Sequence, residues 1–170
     1  MRYGHPYEAR DDLEAAVRLN SSLPNIYTLL GQACDTTGAD HDAELAFRHA
    51  LQINPDDLAA NLGLGTVLYR RRALNEATTY LEHALQLKPG DPNAEYLVAM
   101  LKSVSGQYEA AVHDLEQVAK QSPDWPAPHI ELAKLYYRLH RPEDGLRERK
   151  LADEVTARQE RQKSEPQPGR

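Results

Sequence analysis

Seven histidines, one cysteine and the acidic pairs Asp11-Asp12, Asp56-Asp57 and Glu143-Asp144 are residues of this chain whose chemistry could serve catalysis or metal binding. No two histidines stand four residues apart and no His-Glu-x-x-His sequence occurs, so the ligand spacing typical of a zinc site is absent. His49 and His83 are 34 residues apart, which a shared position in repeated units explains better than a metal does. We therefore expect no metal site.

Support for catalysis is equally weak. Cys34 stands between Ala33 and Asp35, with no cationic neighbour in sequence to favour a thiolate, so we expect a buried, inert thiol. The acidic pairs Asp56-Asp57 and Glu143-Asp144 lie where helix capping accounts for them. No set of nucleophile, base and orienting group emerges, and no glycine-rich turn leads into Lys-Ser or Lys-Thr. We expect no catalytic residue, no cofactor and no enzymatic activity.

A 34-residue period sets the positions of the apolar side chains. Alanine recurs at this interval at Ala9, Ala43, Ala77 and Ala111. A second series runs in register at Leu13, Phe47, Leu81 and Leu115, and prolines follow at Pro55, Pro89 and Pro123. A fixed period indicates one supersecondary unit copied along the chain, which buries its apolar face by stacking on its neighbours.

Each period predicts a helical hairpin. Residues 25–36 carry apolar side chains at three-and-four spacing, Gly38 interrupts the pattern, and residues 42–53 resume it until Asn54-Pro55 ends it. The same reasoning predicts helices at 6–19, 58–70, 75–87, 92–103, 108–121, 126–138 and 143 to about 158.

These hairpins resemble the tetratricopeptide repeat family, whose unit carries Trp-x2-Leu-Gly-x2-Tyr in its first helix and Ala-x3-Phe, then Pro, in its second. The first complete copy here reads Tyr27-x2-Leu30-Gly31-x2-Cys34, Ala43-x3-Phe47 and Pro55. The second reads Leu64-Gly65-x2-Leu68, Ala77-x3-Leu81 and Pro89. The resemblance covers roughly residues 4–155 and implies an all-α fold, a right-handed superhelix of stacked hairpins.

Later copies depart from the family pattern. Lys102 stands where the family pattern has a large apolar residue. In the second helix of the fourth hairpin, Gly145 and Arg149 take the positions of the family's alanine and phenylalanine. We expect a partial repeat at 1–23, repeats at 24–57, 58–91 and 92–125, a degenerate capping hairpin at 126–158 and a disordered tail at 159–170. The partial repeat supplies a second helix without a first, which predicts an exposed apolar face on residues 6–19.

Composition narrows the class of partner. The net charge of −6 disfavours nucleic acid, whose phosphates need a cationic face. No stretch approaches the roughly 20 apolar residues of a membrane span, and residues 1–20 lack the apolar run of a signal peptide. We expect a soluble, cytoplasmic protein that binds neither nucleic acid nor membrane, unless a longer parent chain carries its own targeting segment.

The resemblance also implies a binding surface, since partner peptides of this family usually lie in a concave groove lined by the first helices. The groove positions of the first complete hairpin are Asn25, Thr28, Gln32 and Asp35, and those of the second are Ala59, Leu62, Thr66, Tyr69 and Arg70. Those of the third are Asn93, Tyr96, Met100 and Ser103, and those of the fourth are Ala127, Ile130, Lys134, Tyr137 and Arg138.

One dipeptide recurs in this set. Tyr69-Arg70 and Tyr137-Arg138 are two periods apart, and tyrosine and arginine are frequent binding hot spots. We predict a protein-interaction scaffold that captures an extended or helical segment with acidic groups; alternatively, these tyrosines cover neighbouring hairpins and the arginines are solvated. Two other functions stay open: a regulatory or docking segment of a larger enzyme or multidomain protein, and a self-assembling unit that forms homo-oligomers through its N-terminal face.

Overall fold

The structure of the chain is a computed structural model that describes residues 6–20 and 25–164. Within these residues it contains helices and no strand. The helices are α1 (Pro6–Leu19), α2 (Ile26–Thr36), α3 (Asp40–Ile53), α4 (Leu58–Arg70), α5 (Leu74–Leu87), α6 (Pro92–Val104), α7 (Tyr108–Gln121), α8 (Pro126–Arg138) and α9 (Pro142–Ser164). They belong to two compact units, Met1–Ala94 and Glu95–Arg170.

The two helices of each hairpin are joined by a turn with one recurring geometry. Gly38, Arg72, Gly106 and His140 stand 34 residues apart, and each has a left-handed backbone with φ between 58° and 81°. The N–H after each one reaches back five residues, as from Ala39 to the Cys34 carbonyl at 2.9 Å, which closes the helix with a Schellman motif. Glycine adopts this conformation readily, whereas Arg72 and His140 hold it at a cost.

Aspartates begin the next hairpin at two of the junctions. Asp57 accepts a hydrogen bond from the Ala60 N–H at 3.0 Å, and Asp91 accepts from Asn93 and Ala94 at 3.0 and 3.1 Å. Burial of Asp91 opposes its ionisation, yet the hydrogen bond from Lys88 and those from the backbone lower its pKa on balance. These caps satisfy N–H groups that the first helical turn leaves without partners.

In the first unit, Phe47 of α3 is wedged between two glycines. A Cβ added to Gly31 of α2 would lie 2.6 Å from the Phe47 ring, and one added to Gly63 of α4 would lie 2.3 Å from it. The ring is 1% exposed, so both glycines are needed to let three helices meet around it. The other complete repeats have Leu29 and Leu97 at the position of Gly63. The glycine makes room for Phe47, which stands where the next two repeats have a leucine.

In the second unit, small and branched residues of α6, α7 and α8 form the core. Ala99, Ala111, Leu115 and Leu132 are at most 1% exposed, and Tyr136 joins them. Tyr136 donates its hydroxyl to Glu116 at 2.5 Å, and its ring lies under the Arg141 guanidinium at 4.5 Å. Burial and the Glu116 carboxylate raise the pKa of this phenol.

The departures from the family pattern are accommodated locally. Lys102 pairs with Asp114 of α7 at 2.5 Å. Gly145 is buried, and an added Cβ would lie 3.1 Å from the Tyr137 ring and 3.2 Å from the Ala133 carbonyl. Arg149 is exposed, as a polar terminal helix requires.

The end of α9 corrects one expectation. The helix extends to Ser164, so disorder from residue 159 is wrong for residues 159–164, and the last six residues lie outside the described ranges. Arg158 and Gln159 bind the side chain and carbonyl of Asp124 at 2.9 and 2.6 Å, and residues 157–163 are mostly strong helix formers. The residues before α1 and the expected repeat start at Pro24 also lie outside the described residues.

Candidate protein-interaction surface

In the second unit, an exposed stripe runs along α8. Ile130, Lys134 and Tyr137 stand four and three residues apart, which puts them on one helix face. Ile130 and Tyr137 lie two helical turns apart and are each 42% exposed. Lys134 lies between them and its ammonium is 2.7 Å from Glu131. We call these three residues the α8 stripe.

Arg138 borders the α8 stripe and is held by an aromatic ring. Its guanidinium lies 5.0 Å from the centroid of Tyr108 and donates to the Tyr108 hydroxyl at 3.0 Å. A cation over a ring keeps its charge, because the ring offers a quadrupole and not a counter-charge. Arg138 therefore presents a fixed positive charge beside Tyr137.

Arg70, at the equivalent position in the first unit, behaves differently. It forms ion pairs with Asp35 and with Asp40, the latter at 2.6 Å, and these two carboxylates exceed its single charge. The Asp40 hydrogen bond is the largest cause of a raised Arg70 pKa. Arg70 therefore offers a partner no unbalanced positive charge, because the packing of α2, α3 and α4 brings two carboxylates to it.

Ala127 of α8 is half-buried, and the other predicted positions of the second unit lie on α6. Tyr96 is half-buried against the core and stacks at a tilt on Trp125, with ring centroids 4.8 Å apart. Met100 and Ser103 are half-buried too. Tyr96 thus covers its own hairpins, as the alternative interpretation of the tyrosines predicts, while Tyr137 stays exposed.

In the first unit, Thr28 is not available to a partner. It is 5% exposed and donates its hydroxyl to Asp57 at 2.5 Å, an acid from the junction before α4. Asn25, Gln32 and Asn93 are exposed, whereas Ala59, Leu62, Thr66 and Tyr69 are half-buried. Packing therefore buries one of the predicted groove residues, Thr28.

The potentially reactive groups have structural partners. Cys34 is 1% exposed, and burial is the main cause of its raised pKa. His49 stacks on Tyr27 at 5.1 Å, His83 lies 3.1 Å from Asp56, and His129 lies 2.7 Å from Glu148. Among the described residues, no three metal-binding side chains come together. No helix in these ranges combines the length and apolar character needed to cross a membrane.

Sequence reasoning missed a cleft between α3 and α5, bordered by Gln52, Tyr80 and Glu82. One signal was available, since Gln52 and Gln86 occupy the same position of successive repeats. The sequence alone does not predict that a cleft separates α3 from α5 at these residues.

Two models of the tetratricopeptide repeat family match the chain, one over residues 38–101 and one over residues 1–57. Together with the recurring hairpins, these matches establish that the chain belongs to the tetratricopeptide repeat family. Its fold is the all-α fold of that family, as the sequence predicted.

Curated relatives are much longer proteins. Anaphase-promoting complex subunit 3 of Schizosaccharomyces pombe is 23% identical over 151 residues, which is 85% of this chain and 23% of that protein. Tetratricopeptide repeat protein 21B of Mus musculus is 30% identical over 134 residues, or 71% of this chain and 10% of that protein. The chain thus spans less than a quarter of the length of these relatives.

Solved structures share the fold over most of the chain. MamA residues 41 to the end from Desulfovibrio magneticus RS-1 gives a TM-score of 0.78 at 22% identity, covering 92% of this chain and 88% of that one. YrrB, described as a TPR protein with an unusual peptide-binding site, gives a TM-score of 0.69 at 22% identity, covering 88% and 77%.

Proposed function

We propose that this chain is a non-enzymatic protein-interaction scaffold that captures a partner segment on its first helices, with the α8 stripe as the main contact. The observation that carries the proposal is the pair Ile130 and Tyr137, each 42% exposed on one face of α8 with Lys134 between them. Tyrosine and arginine, which Tyr137 and Arg138 supply here, are enriched at binding hot spots.

The spacing of the stripe defines the kind of segment that fits. Tyr137 follows Ile130 by seven positions along the helix, a rise of roughly 10 Å at 1.5 Å per residue. A partner with two apolar side chains about this far apart would cover both. Arg138, fixed over Tyr108 and without a carboxylate partner among the described residues, favours an acidic residue in that segment. The peptide-binding site described for YrrB supports a peptide as the kind of ligand.

The test is selection from a phage-displayed library of random 16-residue peptides on the immobilised chain. The double variant Ile130→Ser/Tyr137→Ala is the negative target, and Leu146→Ser on α9 is the matched control, because Leu146 is 59% exposed and lies outside the stripe. We expect acidic peptides with paired apolar residues that bind the wild type and the control but not the double variant. Equal enrichment on all three targets would contradict the proposal.

The N-terminal face of α1 supports a second candidate, association between copies of the chain. Ala9 is exposed, whereas its repeat equivalents Ala43, Ala77 and Ala111 are 0% exposed. Leu13 is half-buried, whereas Phe47, Leu81 and Leu115 at its position are at most 1% exposed. Apolar positions that a first helix covers elsewhere are thus accessible here.

Sedimentation equilibrium over a range of concentrations tests this second candidate. Self-association predicts a wild-type mass that rises with concentration and an Ala9→Glu variant that stays monomeric with an unchanged helical spectrum. A wild-type mass that stays at one chain across the range excludes self-association.

The length of the curated relatives favours a further proposal, that these repeats act as a docking segment within a longer protein.

A further inference from the structure

The cleft between α3 and α5 lies in the first unit and is separate from the α8 stripe. It is open to solvent, with a volume of about 600 Å³, within the range of ligand sites. Leu51, Gln52 and Pro55 line one side, and Tyr80, Glu82 and His83 line the other. The lining combines apolar and polar side chains, so the cleft can receive an extended chain that carries both kinds of group.

The charges around this cleft are unbalanced. Arg48, the one guanidinium in its lining, is already paired with Glu44 at 2.9 Å and Glu76 at 2.6 Å, and also donates to the Tyr80 hydroxyl. Arg71 pairs with the same Glu44. The charges of Arg48 and Arg71 therefore balance those of Glu44 and Glu76.

The remaining acids are Glu82, which lines the cleft, and Asp56, the partner of the lining residue His83. Asp56 meets only the imidazole of His83, at 3.1 Å, and Glu82 is exposed with no ion pair to the rest of the described chain. Counted without His83, the cleft and its immediate partners carry four carboxylates against two guanidinium groups. A cationic side chain is the complement of such a rim.

Two exposed amides add directed hydrogen bonding. Gln52 and Gln86 face the cleft from α3 and α5, one repeat apart, and neither amide bonds to another described residue. A primary amide offers a donor and an acceptor, which match the C=O and N–H of a peptide backbone. Free amides on opposite walls thus suit the main chain of a bound segment.

We propose that this cleft binds an extended peptide segment of a partner protein through a lysine or arginine side chain, whose charge meets Glu82 and whose stem packs on Leu51 and Tyr80. Gln52 and Gln86 hold the backbone on either side. The stem of a long cationic side chain buries well against apolar surface while its head stays at the wet rim. The site is independent of the α8 stripe.

Nuclear magnetic resonance titration with two blocked peptides tests the proposal: acetyl-Gly-Arg-Gly amide, and the same peptide with citrulline, the neutral isostere of arginine. The arginine peptide should cause saturable shifts at the side-chain amides of Gln52 and Gln86, and the citrulline peptide should bind more weakly. Glu82→Gln should weaken the arginine peptide about twofold to fivefold, the size expected of an exposed ion pair. Glu109→Gln, an exposed acid of α7 outside the cleft, should have no effect.

A gain-of-charge variant separates the proposal from a general loss of stability. Thr79→Glu adds a carboxylate to the lining, one turn before Glu82, and should tighten the arginine peptide by a similar factor. The proposal is overturned if both peptides bind equally, if Glu82→Gln matches Glu109→Gln, or if no shift saturates. Ile130→Ser/Tyr137→Ala should leave this titration unchanged, so the cleft and the α8 stripe succeed or fail separately.

Discussion

The packing of Phe47 between Gly31 and Gly63 makes the sharpest prediction about stability. In Gly63→Ala, the new Cβ would lie 2.3 Å from the ring, far inside contact distance, and the ring is enclosed on its other side by Gly31. Overpacking of a core costs about 1–3 kcal/mol. Removal of a glycine from a helix interior returns roughly 0.5–1 kcal/mol. We therefore expect a net loss of about 1–2 kcal/mol in the free energy of unfolding.

A second substitution isolates the clash as the cause. Phe47→Leu installs the residue that stands at this position in the next two repeats, Leu81 and Leu115, and frees the space beside Gly63. In that background Gly63→Ala should be neutral or stabilising, which gives a coupling of at least about 1 kcal/mol between the two sites. Urea unfolding of the four proteins, followed by circular dichroism at 222 nm, measures it. Equal effects of Gly63→Ala in both backgrounds would refute the packing argument.

Three further predictions concern single positions. Arg72→Gly and His140→Gly should each raise the free energy of unfolding by about 0.5–1 kcal/mol, because glycine removes the cost of the left-handed turn; a loss in urea unfolding would contradict this. Asp91→Ala should cost about 1 kcal/mol at pH 7 through the lost cap. Since the Asp91 pKa is lowered on folding, this cost should shrink as pH falls below about 4, and a pH-independent cost would count against it. Cys34 should react with a thiol reagent only as fast as the chain opens, far slower than in denaturant; similar rates would show an accessible thiol.

The helices were predictable because their signals are local and repeated. The 34-residue series of alanine, leucine and proline predicted α4, α7 and α8 at their observed bounds, and α2, α3, α5 and α6 within two residues. Gly38 and Gly106 marked two of the turns. The same turn could not be predicted at Arg72 and His140, because these residue types disfavour a positive φ. The repeat imposes the left-handed backbone on them despite that preference.

The contacts of the candidate surfaces were less predictable, because they depend on which neighbouring helix supplies a partner. Thr28 is removed from the surface by Asp57, 29 residues later, and Arg70 is neutralised by Asp35 and Asp40. Tyr69-Arg70 and Tyr137-Arg138 are the same dipeptide, yet only the second leaves its tyrosine exposed and its arginine without a carboxylate partner among the described residues. Periodicity predicts a position in the fold, whereas these long-range pairs decide whether that position is free to bind.

The measurement that tests the central proposal most directly is the nuclear magnetic resonance map of a library-selected peptide on the full chain. A binding surface on α8 predicts that the largest shifts fall on Ile130, Lys134 and Tyr137, and that Ile130→Ser/Tyr137→Ala abolishes them while Leu146→Ser does not. Shifts that fall elsewhere, or that survive the double variant, would contradict a binding surface on α8.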